Sequence, residues 1–337
     1  MKKRSTMFGL GAGLLATTLL VSACGSSASS EGEAADGATE SVEIGISQIV
    51  SHPSLDATAV GFKKALADNG YVEGETVTYD EQNAQGDQAT ATSIAGKFAT
   101  DKKDLILAIA TPTAQAAVQA IMDTPILFTA VTDPVSADLV ESADAPGSNV
   151  TGTSDRNPVE EQLALVKELN PDAKSVGIVY SSGEVNSGVQ VEWAKEAGKK
   201  LGLDIKEAAI SNSTEVQQAA ESLDVDAFYV PTDNAVVSAL ESLIQVAESK
   251  KILTIAAEGD SVKRGTVATY GINYEKLGYQ TGEMAVKILK GEAEPASMPV
   301  ETQTELELYV NEAAAKRTGV TLPDGFTDKA KAEHVFK

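Results

Sequence analysis

Short apolar segments alternate with longer, Ala-rich helical patterns from Val42 onward, and this alternation predicts an α/β chain built of parallel sheets. A second observation makes the sheets two. Leu105–Ala110 runs into Thr111-Pro112-Thr113 and a helix pattern, and Ala227–Val230 runs into Pro231-Thr232-Asp233-Asn234 and another. Both are apolar strands ending in a Pro/Thr turn whose last polar residue can cap the next helix. The expected fold is therefore two doubly wound parallel-sheet lobes, with right-handed crossovers and helices on both faces.

Strands are expected at Val42–Ser47, Thr76–Glu81, Leu105–Ala110 and Ile126–Ala130 in the first lobe. Those of the second are Ser175–Tyr180, Ile205–Ala209, Ala227–Val230, Ile252–Ala256 and Thr266–Tyr270. Helix periodicity marks Leu55–Asn69, Asp87–Thr100, Thr113–Met122, Val159–Leu169, Val185–Leu201, Thr214–Leu223, Ala235–Lys250 and Glu275–Leu289. The stretch Pro146–Ser154 reads as the exit from the first lobe, and the helix at Glu275 as a return to it. A last strand, Gln303–Val310, and a helix to Arg317 close the second lobe. Three passages between the lobes make a hinge. The expected boundaries are 42–155 plus 272–298 for the first lobe and 156–271 plus 299–337 for the second.

Ahead of the lobes, Lys2, Lys3 and Arg4 precede an apolar run from Met7 to Leu20, and small residues follow at Val21-Ser22-Ala23. A basic start, an apolar segment too short to span a bilayer comfortably and a small-residue cut site describe an export signal over residues 1–23. The chain's one cysteine, Cys24, stands where a bacterial lipobox places it. The segment resembles a lipoprotein signal, which implies acylation of Cys24 and a lipid-anchored protein on the extracytoplasmic face of the cell membrane. Residues 24–41 are small, polar and acidic and read as a flexible tether spanning about 23 Å.

Composition excludes several functions. The formal charge of −22 repels phosphate backbones, so no nucleic-acid partner is expected. Two histidines and one cysteine give a transition-metal site almost no material, and no metal or other cofactor is expected. No Gly-x-Ser-x-Gly elbow surrounds any serine, and no nucleophile–base pair is evident, so the chain is not expected to be an enzyme. Aromatic residues make up 5%, which disfavours a carbohydrate ligand, and Trp193, the one tryptophan, reads as helix packing.

Ligands of open α/β sheets bind beyond the carboxyl ends of the strands. The polar residues there include Gln48 and His52 after the first strand, Thr111 and Thr113 after the third, and Asp133 after the fourth. Asp155 stands at the first passage between lobes. Glu184 and Asn186, Asp233, and Glu258 occupy the matching places in the second lobe. Thr111-Pro112-Thr113 opening a helix is a credible carboxylate site, since first-turn N–H groups and hydroxyls can hold an anion without a basic side chain. Either threonine could equally cap its own helix. Asp133, Asp155, Asp233 and Glu258 could each meet a cation, or serve as turn and cap residues.

A further set of segments carries a family resemblance. Ile46–Asp56, Ala110–Gln115, Phe128–Pro134, Asn149–Ser154, Tyr229–Asn234 and Tyr270–Tyr274 resemble, in order and spacing, ABC-importer substrate-binding lipoproteins that include tryptophan- and aromatic-amino-acid-binding members. The resemblance implies a type I periplasmic-binding-protein fold with a ligand enclosed between two hinged lobes. It implies as partners a small molecule, an amino acid first, and an ABC permease with its ATPase, with the protein acting as a monomer. By position it carries over Gln48, His52, Thr111, Thr113, Asp133, Asn186, Asp233 and Glu258 as cleft-lining residues. A ligand-sensing subunit for a membrane signalling protein is the alternative use of the same fold.

Overall fold

The computed structural model of this chain describes residues 41–337. The expected export signal, Cys24 and the tether up to residue 40 lie outside the described residues. Among the described residues no helix is long and apolar enough to cross a membrane.

In chain order the elements of the first lobe are β1 (Val42–Gln48), α1 (Pro53–Asp68), β2 (Val77–Asn83), α2 (Gln88–Asp101), β3 (Leu105–Ile109), α3 (Thr111–Ala120), β4 (Ile126–Val131) and β5 (Val150–Ser154). The second lobe follows with α4 (Val159–Leu169), β6 (Ser175–Ser181), α5 (Val185–Leu201), β7 (Asp204–Ile210), α6 (Val216–Ser222), β8 (Ala227–Val230), α7 (Asn234–Ser238), α8 (Leu240–Lys250), β9 (Leu253–Ala256), α9 (Gly259–Arg264) and β10 (Ala268–Gly271). The chain then returns through α10 (Tyr274–Leu289) and β11 (Glu301–Thr302), and ends in the second lobe with β12 (Glu307–Asn311), α11 (Glu312–Thr318) and β13 (Val335–Phe336).

The first sheet is parallel throughout, in the order β11-β5-β4-β3-β1-β2. The second runs β13-β12-β10-β9-β8-β6-β7, with only the β10–β12 pair antiparallel. Each order reverses direction once, between β1 and β3 in one sheet and between β6 and β8 in the other. Doubly wound sheets bind ligands at such switch points. The apolar cores of the lobes are separate: one cluster holds Ile44, Phe62, Leu107 and Phe128, and others hold Ile178, Tyr229 and Val310 or Phe228 and Leu243.

Several expectations are corrected here. The exit segment forms a strand, β5, because Gly152 lets its backbone approach β4 closely; a Cβ there would meet Phe128 O at 2.0 Å. The last strand starts at Glu307 rather than Gln303, and an unexpected short strand ahead of it, Glu301–Thr302, pairs with β5 in the first sheet, so the first lobe extends beyond residue 298. Only Glu307–Asn311 joins the second sheet. The helix expected over Ala235–Lys250 breaks at Ala239, whose φ of −115° leaves helical space. Helix α9 gives almost no apolar period in its six residues, and its start is fixed by Glu258, which caps it.

The return of α10 is fixed by helix packing. It lies on α1 with Gly61, Gly278 and Gly282 at the contact. A Cβ at Gly61 would meet Glu275 O at 1.9 Å, and one at Gly278 would meet Thr58 O at 1.9 Å. These glycines let the two backbones touch, so α10 cannot shift without losing the contact. Buried threonines extend the attachment: Thr153 Oγ1 lies 2.8 Å from Thr281 Oγ1, and Thr151 donates to Met298 O at 2.7 Å. Gly278→Ala is expected to destabilise by about 3 kcal/mol, since the clash is with backbone. Gly96→Ala in α2, which meets open space, should stabilise by up to about 1 kcal/mol. Urea unfolding midpoints of the two variants check this.

Candidate functional site

The carboxyl tips of the two sheets face each other. Thr132 Oγ1, beyond β4, lies 3.2 Å from Thr232 Oγ1, beyond β8. Ser54 Oγ at the start of α1 donates to Glu258 Oε2 (2.9 Å) and to Asp260 Oδ2 (3.2 Å). Gln88 Nε2 donates to Gly183 O at 2.8 Å. Between these contacts lies an inner cavity of about 20 Å³, whose lining includes His52, Asp155, Asn186, Asp233, Glu258 and Tyr274. Sharing Asn234 with it, an outer groove of about 420 Å³ runs between the lobes past Ile49, Gln88, Pro112, Glu184 and Asn212.

The backbone is strained where β3 and β4 end. Ala110 has φ 79° and Ala130 φ 54°, both left-handed values that favour glycine. Ala130 sits in a bulge: the β4–β5 register shifts between Phe128 and Val131. Bulges re-aim the residues that follow them. Here the bulge carries Thr132 beside Asp155, to which Thr132 Oγ1 donates at 3.1 Å. Non-glycine residues in such conformations cluster at ligand sites, where the surrounding structure holds them.

Of the eight residues expected to line the cleft, His52, Asn186, Asp233 and Glu258 line the inner cavity. His52 Nδ1 and Asn186 Oδ1 are buried without a hydrogen-bond partner, as is Thr111 Oγ1 at the first position of α3. Buried polar atoms in native proteins are nearly always paired, so three orphans at facing strand tips mark a ligand surface. The others are satisfied locally. Thr113 Oγ1 donates to Ile109 O (2.6 Å) and Ala110 O (2.9 Å). The Gln48 side-chain amide donates to Val50 O and Asp56. Asp133 accepts from Ser136 N in a turn and lies 4.0 Å from Arg156. Asp233 caps α7 through Val236 N (2.8 Å) and also accepts from Ser181 N (2.6 Å). Glu258 accepts from Asp260 N, Ser261 N and the Ser261 hydroxyl.

Ser54 and Tyr274, at the starts of α1 and α10, are cavity residues that the strand-tip reading does not name. Tyr274 OH donates to Asp155 Oδ2 at 2.6 Å across 119 residues of sequence. Trp193 takes no part in the cleft; the Arg156 guanidinium stacks on its ring at 4.1 Å on the flank of the second lobe.

The electrostatics are one-sided. Burial pushes the carboxyls of Asp155, Asp233 and Glu258 above their ordinary range. Glu184 is pushed up to about 7, by burial first and by the Asp233 charge second. His52 is lowered to about 4, by burial and then by Arg264, so its imidazole is neutral at pH 7. No lysine or arginine lines the inner cavity or the outer groove. The arrangement accepts hydrogen bonds far more than it donates them and favours a cationic group.

Comparison with known proteins identifies the family. Residues 43–334 match the model of the ABC transporter substrate binding proteins. The chain belongs to that family. Its members bind substrates and are not enzymes. It is 48% identical over 310 residues to a tyrosine-binding protein of Clostridioides difficile, covering 90% of this chain and 89% of the relative. A Streptococcus pneumonia ABC domain solved in complex with L-Trp superposes with a TM-score of 0.83 at 36% identity, covering 86% of this chain and 99% of that one. The ligand-free, open structure of a substrate binding protein with adhesive properties from Clostridium difficile gives 0.66 at 49% identity, covering 88% and 98%. The fold is that of the type I periplasmic binding proteins.

Glu184 gives a signed pH effect. Its folded pKa of about 7 exceeds its ordinary 4.5, so the folded protein binds more protons between those values and loses stability as pH rises through them. His52 acts oppositely, its contribution fading as pH falls from 6.5 to about 4. Glu184→Gln is therefore expected to raise the melting temperature relative to the parent more at about pH 8 than at about pH 5. Thermal unfolding at both values checks it.

Proposed function

We propose that this protein is the lipid-anchored, extracytoplasmic solute receptor of an ABC importer and that its ligand is an aromatic α-amino acid of the tyrosine class. One observation carries the reading: 48% identity to a tyrosine-binding protein across nearly the whole chain. The cleft supports it physically. A zwitterion needs an anion site and a cation site. The start of α3 supplies the first, with the positive end of the helix and the unpartnered Thr111 hydroxyl. The buried carboxylates opposite supply the second. The outer groove, lined in part by Ile49, Val50, Pro112 and Ala235, has the volume and the apolar surface for a side chain.

Closure of the lobes about the three passages near 155–158, 271–273 and 303–306 would bury the ligand and form the surface that the permease and its ATPase read. Acylated Cys24 would hold the monomer at the outer face of the membrane, with the tether giving it room to reorient. Family membership favours import over a sensing role.

Thermal unfolding against a panel of L-amino acids tests the reading. L-Tyrosine at a hundred times its dissociation constant should add about 2.7 kcal/mol of stability, and L-tryptophan or L-phenylalanine should act in the same sense. Stabilisation by none of the three would overturn it. Thr111→Val should weaken binding tenfold or more, for loss of a charge-assisted hydrogen bond, with little change in stability without ligand. For the anchor, Cys24→Ala expressed in a bacterial host should leave the protein in the soluble extracytoplasmic fraction and free of incorporated palmitate.

A further inference from the structure

A second recess lies outside the cleft, on the flank of the second lobe where α4 packs on α5. Its volume is about 220 Å³, roughly half the outer groove's 420 Å³, and none of its lining residues lines the groove or the inner cavity. Asn157, in the first passage between the lobes, lines it. This residue is 5% exposed, and its amide is the one orphaned at both nitrogen and oxygen among the described residues. Local bonds hold it in place. Val159 N donates to Asn157 O at 3.0 Å, and Arg156 N donates to Ser154 Oγ at 3.1 Å. A buried amide left unpaired at both ends carries a desolvation cost that a partner in the recess removes.

The charges around that amide are of both signs. Arg156, 59% exposed, lays its guanidinium on the Trp193 ring at 4.1 Å. Asp133 Oδ2 stands 4.0 Å from it, beyond hydrogen-bond distance, so the in-plane N–H donors stay available on that side. Lys200 and Glu160 cancel each other in an ion pair at 2.6 Å. Glu161 and Glu196, both exposed, complete the charged lining. A simple anion meets these two as like charges, and a simple cation meets Arg156 as one. A guest with one charge of each sign finds a partner for both. The Asn157 amide, with a donor and an acceptor side by side, suits the same guest.

We infer that this recess is a second binding site, separate from the cleft, for a small α-amino acid. Arg156 and Asn157 Nδ2 take the carboxylate. Asn157 Oδ1 takes the α-ammonium, with Glu161 and Glu196 supplying the opposite charge. Val159, Ala197 and the Trp193 ring offer apolar surface to a short side chain. The volume, half that of the groove, favours an aliphatic guest over an aromatic one. The site does not depend on what the cleft binds.

Trp193, the only tryptophan of the chain, lines the recess and reports its occupancy. Tryptophan emission of the full chain in detergent, titrated with L-alanine, tests the inference. A saturable change is expected. Propionate and ethylamine, each lacking one of the two charges, should have midpoints about tenfold higher or more. Asn157→Leu and Arg156→Gln should each raise the L-alanine midpoint about tenfold, for loss of charge-assisted hydrogen bonds. Thr111→Val, in the cleft, should keep the parent's midpoint. No saturable change, or propionate or ethylamine acting as well as L-alanine, overturns the site. So does an unchanged midpoint in either recess variant, or a midpoint that moves with Thr111→Val. Should Asn157→Leu fail to fold, Arg156→Gln, a surface substitution, decides alone.

Discussion

Buried carboxylates without basic partners govern the design of this cleft. Removing an ionised carboxylate from water costs several kcal/mol even after relaxation, and three of them lie almost fully buried at the strand tips. The chain meets that cost with dipoles rather than countercharges. Glu258 accepts two backbone N–H groups at the start of a short helix, and Asp233 accepts one at the start of another and one from Ser181 at the end of β6. Charge-assisted bonds to helix starts are among the stronger hydrogen bonds available. Asp155 has no helix start to itself and relies on two hydroxyls. The pattern separates two carboxylates that cap helices from one held by hydroxyls alone.

Holding acids in this way demands that their surroundings not relax, and the rest of the fold supplies the stiffness. The glycine-lined contact of α1 and α10 fixes Tyr274 at the first turn of α10, which fixes the donor to Asp155. The threonine pair Thr153–Thr281 ties β5 to the same helix about two turns further on. The bulge at Ala130 turns Thr132 toward Asp155 from the other side. A strained alanine conformation costs on the order of 1 kcal/mol or more, a cost that a loop without function would shed by adopting glycine or relaxing.

Much of this was legible in the sequence. Alternating strand and helix periods located β1 to β4, β6 to β9 and most helices to within one or two residues. Elements of few residues escaped because their signals are not local. β5 depends on a glycine pressed against Phe128, and β11 on a strand 150 residues earlier. Strand-tip logic found the neighbourhood of the site, yet it could not sort residues within it. Thr111 and Thr113 look alike in sequence; only the fold decides that Thr113 turns back onto its own strand while Thr111 is left unpartnered. Asp133 and Asp155 are likewise alike until Tyr274 arrives from the far end of the chain.

The contacts that join the lobes across the cleft set the energetics of closure. They are hydrogen bonds among Ser54, Glu258, Asp260, Thr132, Thr232, Gln88 and Gly183, and the apolar clusters stay within their own lobes. A net hydrogen bond contributes about 1 kcal/mol, so four of them favour the closed arrangement only modestly against the loss of hinge freedom. A ligand bound to both lobes at once adds differential affinity for that arrangement, and only differential affinity can move such an equilibrium. Recognition of a ligand by both lobes and closure of the lobes are then the same event.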